Sequence, residues 1–414
     1  MIYQRQFLEV MSSMDNSQVK CCIVISRVFP FPPMTGAIQY SAQIIKQLST
    51  VFDRVEVICS STDKKYRGES FVEFPPNVYF FTYRPSYLSL LGKVFTMQPL
   101  AALKLDCADG RGIIKDRLNV NPDSHVAIDH IGSSWSLRLL EAHLSGSNRM
   151  IYCTHNEEFS TRVSLASSET KNLFKYLAHQ LDAFRAYLVD KRIFKSASLV
   201  TCISNDDLNK YSSLYKFREL KLLTAIYEGP IKIDRKDVEK FSKKVAIVGS
   251  FFWEAKKNNL EKFLSCCESI FFTEDVQLLV IGNMHSDYLA YLKKRWPTVT
   301  FTGRVESIEK HLETVKIGIV AEEFGGGFKL KLLQYVFQRV PIFGLHHAVQ
   351  GLGLKVGESI MTYANMTELC EGISREIVNE EFLNKLSSTA FADCQKFLDA
   401  SIGVDVIRTS IFND

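Results

Sequence analysis

The chain has 414 residues, of which 46% are hydrophobic and 23% charged, with a net charge of +4. The composition is that of an ordinary globular protein, and the length exceeds what one core usually supports, so two domains are expected. The slight charge and the lack of a nucleic-acid-binding motif argue against a nucleic-acid partner.

Ten cysteines occur without one C-x-x-C spacing, and most sit in apolar runs, so neither a zinc site nor a redox dithiol is indicated. Arg5, Glu9, Asp15 and Lys20 leave no long apolar core near the N-terminus, which does not read as a signal peptide. No apolar run is long enough to span a bilayer. A reducing cytoplasm is the expected setting.

Residues 1–17 read as a flexible polar extension, and the fold begins with the buried strand Val19–Ile25. The loop Ser26–Gly36, rich in proline, leads to a helix at about Ala37–Thr50 with Ile38, Ala42, Ile45 and Leu48 on one face. A strand at Val55–Cys59 follows. Strand, loop, helix and strand open a doubly wound sheet, whose ligands bind beyond the carboxyl ends of the strands.

Phe71–Tyr83 reads as further short strands, and Pro85–Leu105 as an apolar helix, either of the core or facing an acceptor or membrane. Strands at His125–Ile128 and Met150–Cys153 lead to Asp129-His130 and to Thr154-His155-Asn156-Glu157-Glu158, whose histidines and carboxylates the topology points into the ligand crevice. Lys171–Lys195 is a helical segment with six basic residues and two acidic ones. Such a face is ordinarily solvated, but it also suits anionic lipid, where each cation contributes about 1 kcal/mol. Ser198–Ser204 reads as the last strand of this half.

Gly229-Pro230 and alternating charges mark 226–244 as a linker, after which the pattern restarts. Strands are expected at Val245–Ser250, Val276–Ile281, Val299–Gly303 and Lys316–Val320, with a helix at Asn258–Phe272 and a shorter one at Glu309–Val315. Gly325–Gly327 then precede a helix-period segment carrying Lys329 and Lys331 in its first turn, and Pro341 opens another strand. Cations are disfavoured at a helix N-terminus unless an anion joins them, and a nucleotide diphosphate is the natural candidate. The final segment, about Asn379–Ile411, reads as largely helical.

Four stretches together resemble the GT-B glycosyltransferases, in particular the family 4, bacterial group 1 type. They are Phe31–Gly36, Asp129-His130, Gly249–Trp253 with Asn258, and Gly325–Leu333 with Pro341. The resemblance implies an α/β fold of two Rossmann-like, doubly wound domains facing a cleft. Residues 18–225 would form the acceptor domain, 245–390 the nucleotide-sugar domain, and 391–414 a helix packing back across the linker. Gln334 stands where the family usually has a second glutamate, and Lys256 or Lys257 represents an Arg/Lys pair common in the family.

The implied activity is transfer of a sugar, with retention, from a nucleotide-diphosphate donor to a saccharide or lipid-linked saccharide of surface polysaccharide or lipopolysaccharide type. His130 and Lys329 are the expected catalytic residues. Gly36, Ser250, Glu323, Gly326, Gly327, Lys329, Lys331 and Gln334 would bind the donor, and His155, Asn156 and Glu157 the acceptor. Neither a metal nor a cofactor is expected, and peripheral contact with an anionic inner membrane face is. The rival readings are a GT-B nucleotide-sugar 2-epimerase and an inactive sugar-binding or partner module.

Overall fold

The computed structural model describes residues 19–62, 65–85, 96–144, 148–168, 173–216, 220–234, 243–323 and 328–412. The first half runs β1 (Cys21–Ser26), α1 (Gly36–Val51), β2 (Arg54–Ser60), β3 (Arg67–Glu69), β4 (Val78–Tyr83), α2 (Leu100–Leu103), α3 (Ala108–Val120), β5 (His125–Asp129), α4 (Leu137–His143) and β6 (Met150–Cys153). It ends with α5 (Glu158–Ser168), α6 (Leu173–Ser196), β7 (Leu199–Cys202), α7 (Asn205–Leu214) and β8 (Leu220–Leu222). The strand order is β3-β4-β2-β1-β5-β6-β7-β8, with β3 antiparallel and the rest parallel.

The second half runs β9 (Lys244–Val248), α8 (Glu254–Thr273), β10 (Gln277–Ile281), α9 (Ser286–Arg295), β11 (Thr300–Gly303), α10 (Ile308–Leu312), β12 (Ile317–Val320), α11 (Lys331–Phe337) and β13 (Ile342–Leu345). Then come β14 (Met361–Tyr363), α12 (Met366–Glu376), α13 (Glu380–Asp393) and α14 (Ser401–Phe412). All six strands are parallel, in the order β11-β10-β9-β12-β13-β14. The expected pair of doubly wound sheets is present.

Both sheets reverse their winding at one place. The chain builds outward from β1 through β2 and β4, then returns to add β5 on the other side of β1; β9 and β12 repeat the device. Connections leave such neighbours in opposite directions, so a crevice opens beyond their carboxyl ends. In the second sheet the opening begins early, because β12 pairs with β9 only at Ile317↔Val245 and Gly318↔Ala246. Tyr335 of α11 fills the gap. Its hydroxyl accepts the Val248 N–H at 2.9 Å and donates to the Ala246 carbonyl at 3.2 Å.

Several expectations are corrected in detail. Within Phe71–Tyr83 only Val78–Tyr83 is strand, since Pro75-Pro76 cannot donate to a ladder and the chain turns there. The edge strands β3, β8 and β14 were not expected; three residues each are too short to leave a periodic signal. Helix α11 starts at Lys331, with Leu330 at its cap, so Lys329 precedes the helix and is not in its first turn. Residues 1–17, Tyr87–Phe95, Lys171 and 235–242 lie outside the described residues.

The start of the crossing between the halves is held by side chains from both domains. Gln43 of α1 brackets the crossing, its amide oxygen accepting the Ile226 N–H at 2.9 Å and its amide nitrogen donating to the Ile226 carbonyl. Tyr227 donates its N–H to Phe397 and stacks on Phe337 at 4.7 Å. Helix α14 then returns to the first domain, where Gly403 lies against Gln47 and Leu223, and Phe412 against Phe52 and His125. Gly403 permits that approach, because a Cβ there would stand 2.3 Å from Gln47 Oε1.

Candidate active site

Two clusters of polar side chains sit at the two switch points. The first surrounds the ends of β1, β5 and β6. Asp129 ends β5 fully buried, accepts a hydrogen bond from Ser26 Oγ at 2.7 Å, and meets His155 Nε2 at 2.6 Å. Burial by itself would raise this carboxyl. The His155 ring and hydrogen bonds from Ser26 and Ser41 outweigh it and hold Asp129 below the ordinary carboxylate value. The other nitrogen of His155, Nδ1, is buried and has no hydrogen-bond partner among the described residues.

His130 has a left-handed backbone, at φ 70°, where a side chain is strained and the turn must hold it. Its Nδ1 accepts the Gly132 N–H at 2.8 Å, which leaves the proton on Nε2, 3.4 Å from Glu158 Oε1. Burial, reinforced by Arg27, His155 and Arg162, holds its pKa well below the ordinary value, so the ring is neutral near pH 7. His130 is therefore a hydrogen-bond donor from Nε2 and not a cation. Glu158 in turn binds Arg162, which reaches Asp182 of α6 at 3.0 Å. Glu158 lies in the stretch expected at the crevice; Arg162 and Asp182 had no expected role, since nothing local links positions on separate elements.

The expected acceptor residues divide. His155 belongs to this cluster, and Asn156 is half-buried beside it, its carbonyl accepting from Tyr211. Glu157 is a correction. Its carboxylate caps α5, accepting from Phe159 N at 2.9 Å and Ser160 N at 2.8 Å, and the side chain is buried, so no oxygen is offered to an acceptor.

The second cluster lies beyond β9 and β12. A cleft there is lined by Gly249, Lys256, Asn259, Ala321, Glu322 and Lys331, with Phe251 and Phe263 beneath. Glu322 forms an ion pair with Lys331. Burial would raise the Glu322 carboxyl, but Lys331, Lys329 and Lys256 together hold it low. The lysines bear the reverse strain. Lys329 is depressed to about 8, by burial first and by Lys331 and Lys256 besides, against the opposing pull of Glu322 and Asp207. Lys256 is lowered by burial and by Lys331. Three ammonium groups thus share one carboxylate in a desolvated place.

The remaining donor residues are placed as follows. Glu323, expected to hold the donor, pairs instead with Lys262, and its neighbour Glu322 faces the lysines. Lys331 likewise meets Glu322, which answers the unfavourable helix-end charge within the protein. Ser250 and Gln334 are half-buried, at the end of β9 and on α11. Gly326 and Gly327 lie outside the described residues. Gly282, at φ 149°, touches the Gly249 carbonyl so closely that a Cβ would overlap it, and this brings the turns after β9 and β10 together.

The two domains touch close to the lysine cluster. Gly36 starts α1 beside Leu330, and Phe328 and Leu330 pack against the cores of both domains. Lys329, between them, feels Asp207 of α7 in the first domain. Among the described residues no group of three or more His, Cys, Asp or Glu is arranged to hold a metal ion. No helix among them is long and apolar enough to cross a membrane.

Residues 242–375, which contain the lysine cluster, match the family model described as glycosyl transferases group 1. Most of the chain superposes on solved structures. Sucrose-phosphate synthase from Thermosynechococcus elongatus aligns at TM-score 0.68 and 14% identity, covering 94% of this chain and 97% of that one. HepE from Anabaena, solved with UDP and glucose, aligns at 0.61 and 14%, covering 96% and 100%. WaaG, a glycosyltransferase involved in lipopolysaccharide biosynthesis, aligns at 0.61 and 12%, covering 95% and 100%. No curated protein matches the sequence. The fold is therefore GT-B. In the second domain, residues 242–375 also match the group 1 glycosyl transferases.

Proposed function

We propose that the protein transfers a sugar from a nucleoside-diphosphate donor to a saccharide, free or carried on a lipid, in the cleft between the two lysine- and histidine-bearing clusters. The observation that carries this reading is the surplus of half-buried positive charge around Glu322, where Lys256, Lys329 and Lys331 face one carboxylate. Unbalanced charge in a desolvated place is costly, and a diphosphate relieves it. As the anomeric C–O bond breaks, negative charge grows on the departing diphosphate, and these lysines stabilise it without reorganising. That HepE was solved with UDP and glucose makes UDP-glucose the first donor to try.

In this reading His130 donates its Nε2 proton to a hydroxyl of the donor sugar once that hydroxyl displaces Glu158. His155, oriented by Asp129, packs edge-on against the His130 ring and fixes its position. Closure of the domains over Gly36 and Leu330 excludes the water that would otherwise hydrolyse the donor. Retention at the anomeric carbon rests on the resemblance to the family alone. Because lysines supply the cationic charge, turnover is expected to persist in EDTA.

The test is a thermal-shift screen of nucleotide sugars, followed by assay of the best one with and without saccharide acceptors. A ligand at a hundred times its dissociation constant adds about 2.7 kcal/mol, enough to move the midpoint visibly. Conversion of the donor when incubated alone would indicate an epimerase and refute transfer. Stabilisation by no nucleotide sugar would remove the donor assignment.

A further inference from the structure

Helix α6 carries apolar side chains on both of its faces. Its inward face buries Ala183, Ala186, Val189, Ile193 and Phe194, with the Asp190 carboxylate accepting from Tyr152 at 2.7 Å. Its outward face is apolar as well over the first half of the helix. Leu173, Leu177, Leu181 and Phe184 recur at three- and four-residue intervals, so they form one stripe, and all are exposed. Phe174, at its edge, is 87% exposed. A helix apolar on the side it shows to solvent marks a surface meant to be covered.

The patch extends beyond the helix. Asp182 accepts the Leu100 N–H at 2.6 Å, which brings the exposed Leu100 and Met97 alongside. Its charge is one-sided. Continuing along the same face at the same intervals come Leu188, then the exposed Lys191 and Lys195. Both acidic residues of the helix turn away, Asp182 to Arg162 and Leu100, and Asp190 to Tyr152. Apolar groups followed by lysines, with the nearby carboxylates Asp182 and Glu141 each engaged by an arginine, suit an interface of acyl chains and anionic headgroups better than another protein surface.

We infer that this face of α6 lies on an anionic phospholipid surface, the Leu173 end deeper and the Lys191–Lys195 end among the headgroups. The inference rests on the proposed transfer reaction and names its acceptor class as lipid-anchored. The helix is one step from the cleft, because Arg162 of α5 links Asp182 to Glu158, and Glu158 faces His130. An acceptor head carried on a lipid would thus be presented to the histidine side of the cleft.

The test is co-sedimentation of the full chain with vesicles of phosphatidylglycerol and phosphatidylcholine, against phosphatidylcholine alone. The wild type is expected to sediment with the anionic vesicles and to be released by salt. Leu177→Glu with Phe184→Glu should abolish sedimentation, and Lys191→Glu with Lys195→Glu should weaken it by roughly tenfold or more. Milder Leu177→Ser with Phe184→Ser, checked for an unchanged melting temperature, guards against misfolding. Equal sedimentation of these variants, or none by the wild type, would overturn the inference. So would a wild-type dimer in analytical ultracentrifugation that Leu177→Glu with Phe184→Glu converts to monomer, which assigns the face to a second copy. UDP binding, measured alongside, is expected to be the same in all of them, so failure on vesicles leaves the donor reading standing.

Discussion

His155 Nε2 lies 2.6 Å from Asp129 Oδ1, and both side chains are buried. The pair joins the ends of β5 and β6 beneath the cleft, with Ser26 of β1 on the second carboxylate oxygen. Removing one member strands the other in a low dielectric, which typically costs about 3–5 kcal/mol. Asp129→Asn is expected to lose about that much at pH 7, read from urea midpoints. The sign with pH follows from the depressed carboxyl. Its contribution is fully present above the unfolded value, about 3.9, and disappears as pH falls through the lower folded value. The stability gap between wild type and variant should therefore close in strong acid. A gap independent of pH would contradict the pairing.

Tyr335 makes a prediction about the other switch point. Tyr335→Phe keeps the ring but leaves the buried Val248 N–H without its partner, a loss of about 1–3 kcal/mol. Denaturant unfolding should show a lower midpoint with unchanged slope. An unchanged midpoint would mean that β9 and β12 are held together otherwise.

Lys329 should make nucleotide binding depend on pH in a defined direction. Below about pH 8 it is charged in the free protein, and affinity should be flat once the terminal phosphate is ionised. Above it, the free protein has lost the proton that the complex retains, so binding must take one up and affinity falls. The slope approaches one decade per pH unit. Lys329→Met should abolish the slope; calorimetric titration with UDP across this range decides it.

Gly36 and Leu330 test the closure. A Cβ at Gly36 would stand 3.4 Å from Leu330 Cδ1, an ordinary contact, so Gly36→Ala should be nearly silent. Gly36→Leu overfills the space between the domains. Turnover should fall at least about tenfold, with the melting temperature little changed because the site lies at a surface of each domain. Equal turnover of Gly36→Leu and wild type would show that the domains do not need to meet there.

Much of this fold was legible because parallel strands buried on both faces are written as unbroken apolar runs: β1, β5, β6 and β9 could all be read so. The switch points followed from the order of strands, and with them the placement of Asp129, His130 and His155. What the sequence hid is which of two neighbours turns inward. Glu322 and Glu323 are chemically alike, and only the direction in which the chain leaves β12 sends one to the lysines and the other to Lys262. Glu157 misled for a related reason, since a carboxylate following a strand serves a helix cap as readily as a ligand. The link from Asp182 through Arg162 to Glu158 had no sequence signal, because it is assembled from three elements brought together by packing.

The central claim is that a diphosphate answers the half-buried lysines around Glu322. The most direct measurement is calorimetric titration of UDP, GDP and ADP into the wild type, Lys329→Met and Lys256→Met. At least one nucleotide should bind the wild type, and each substitution should weaken it by about tenfold or more, the loss of one charge-assisted hydrogen bond. Binding as tight to both variants as to the wild type would place the nucleotide elsewhere and contradict the account.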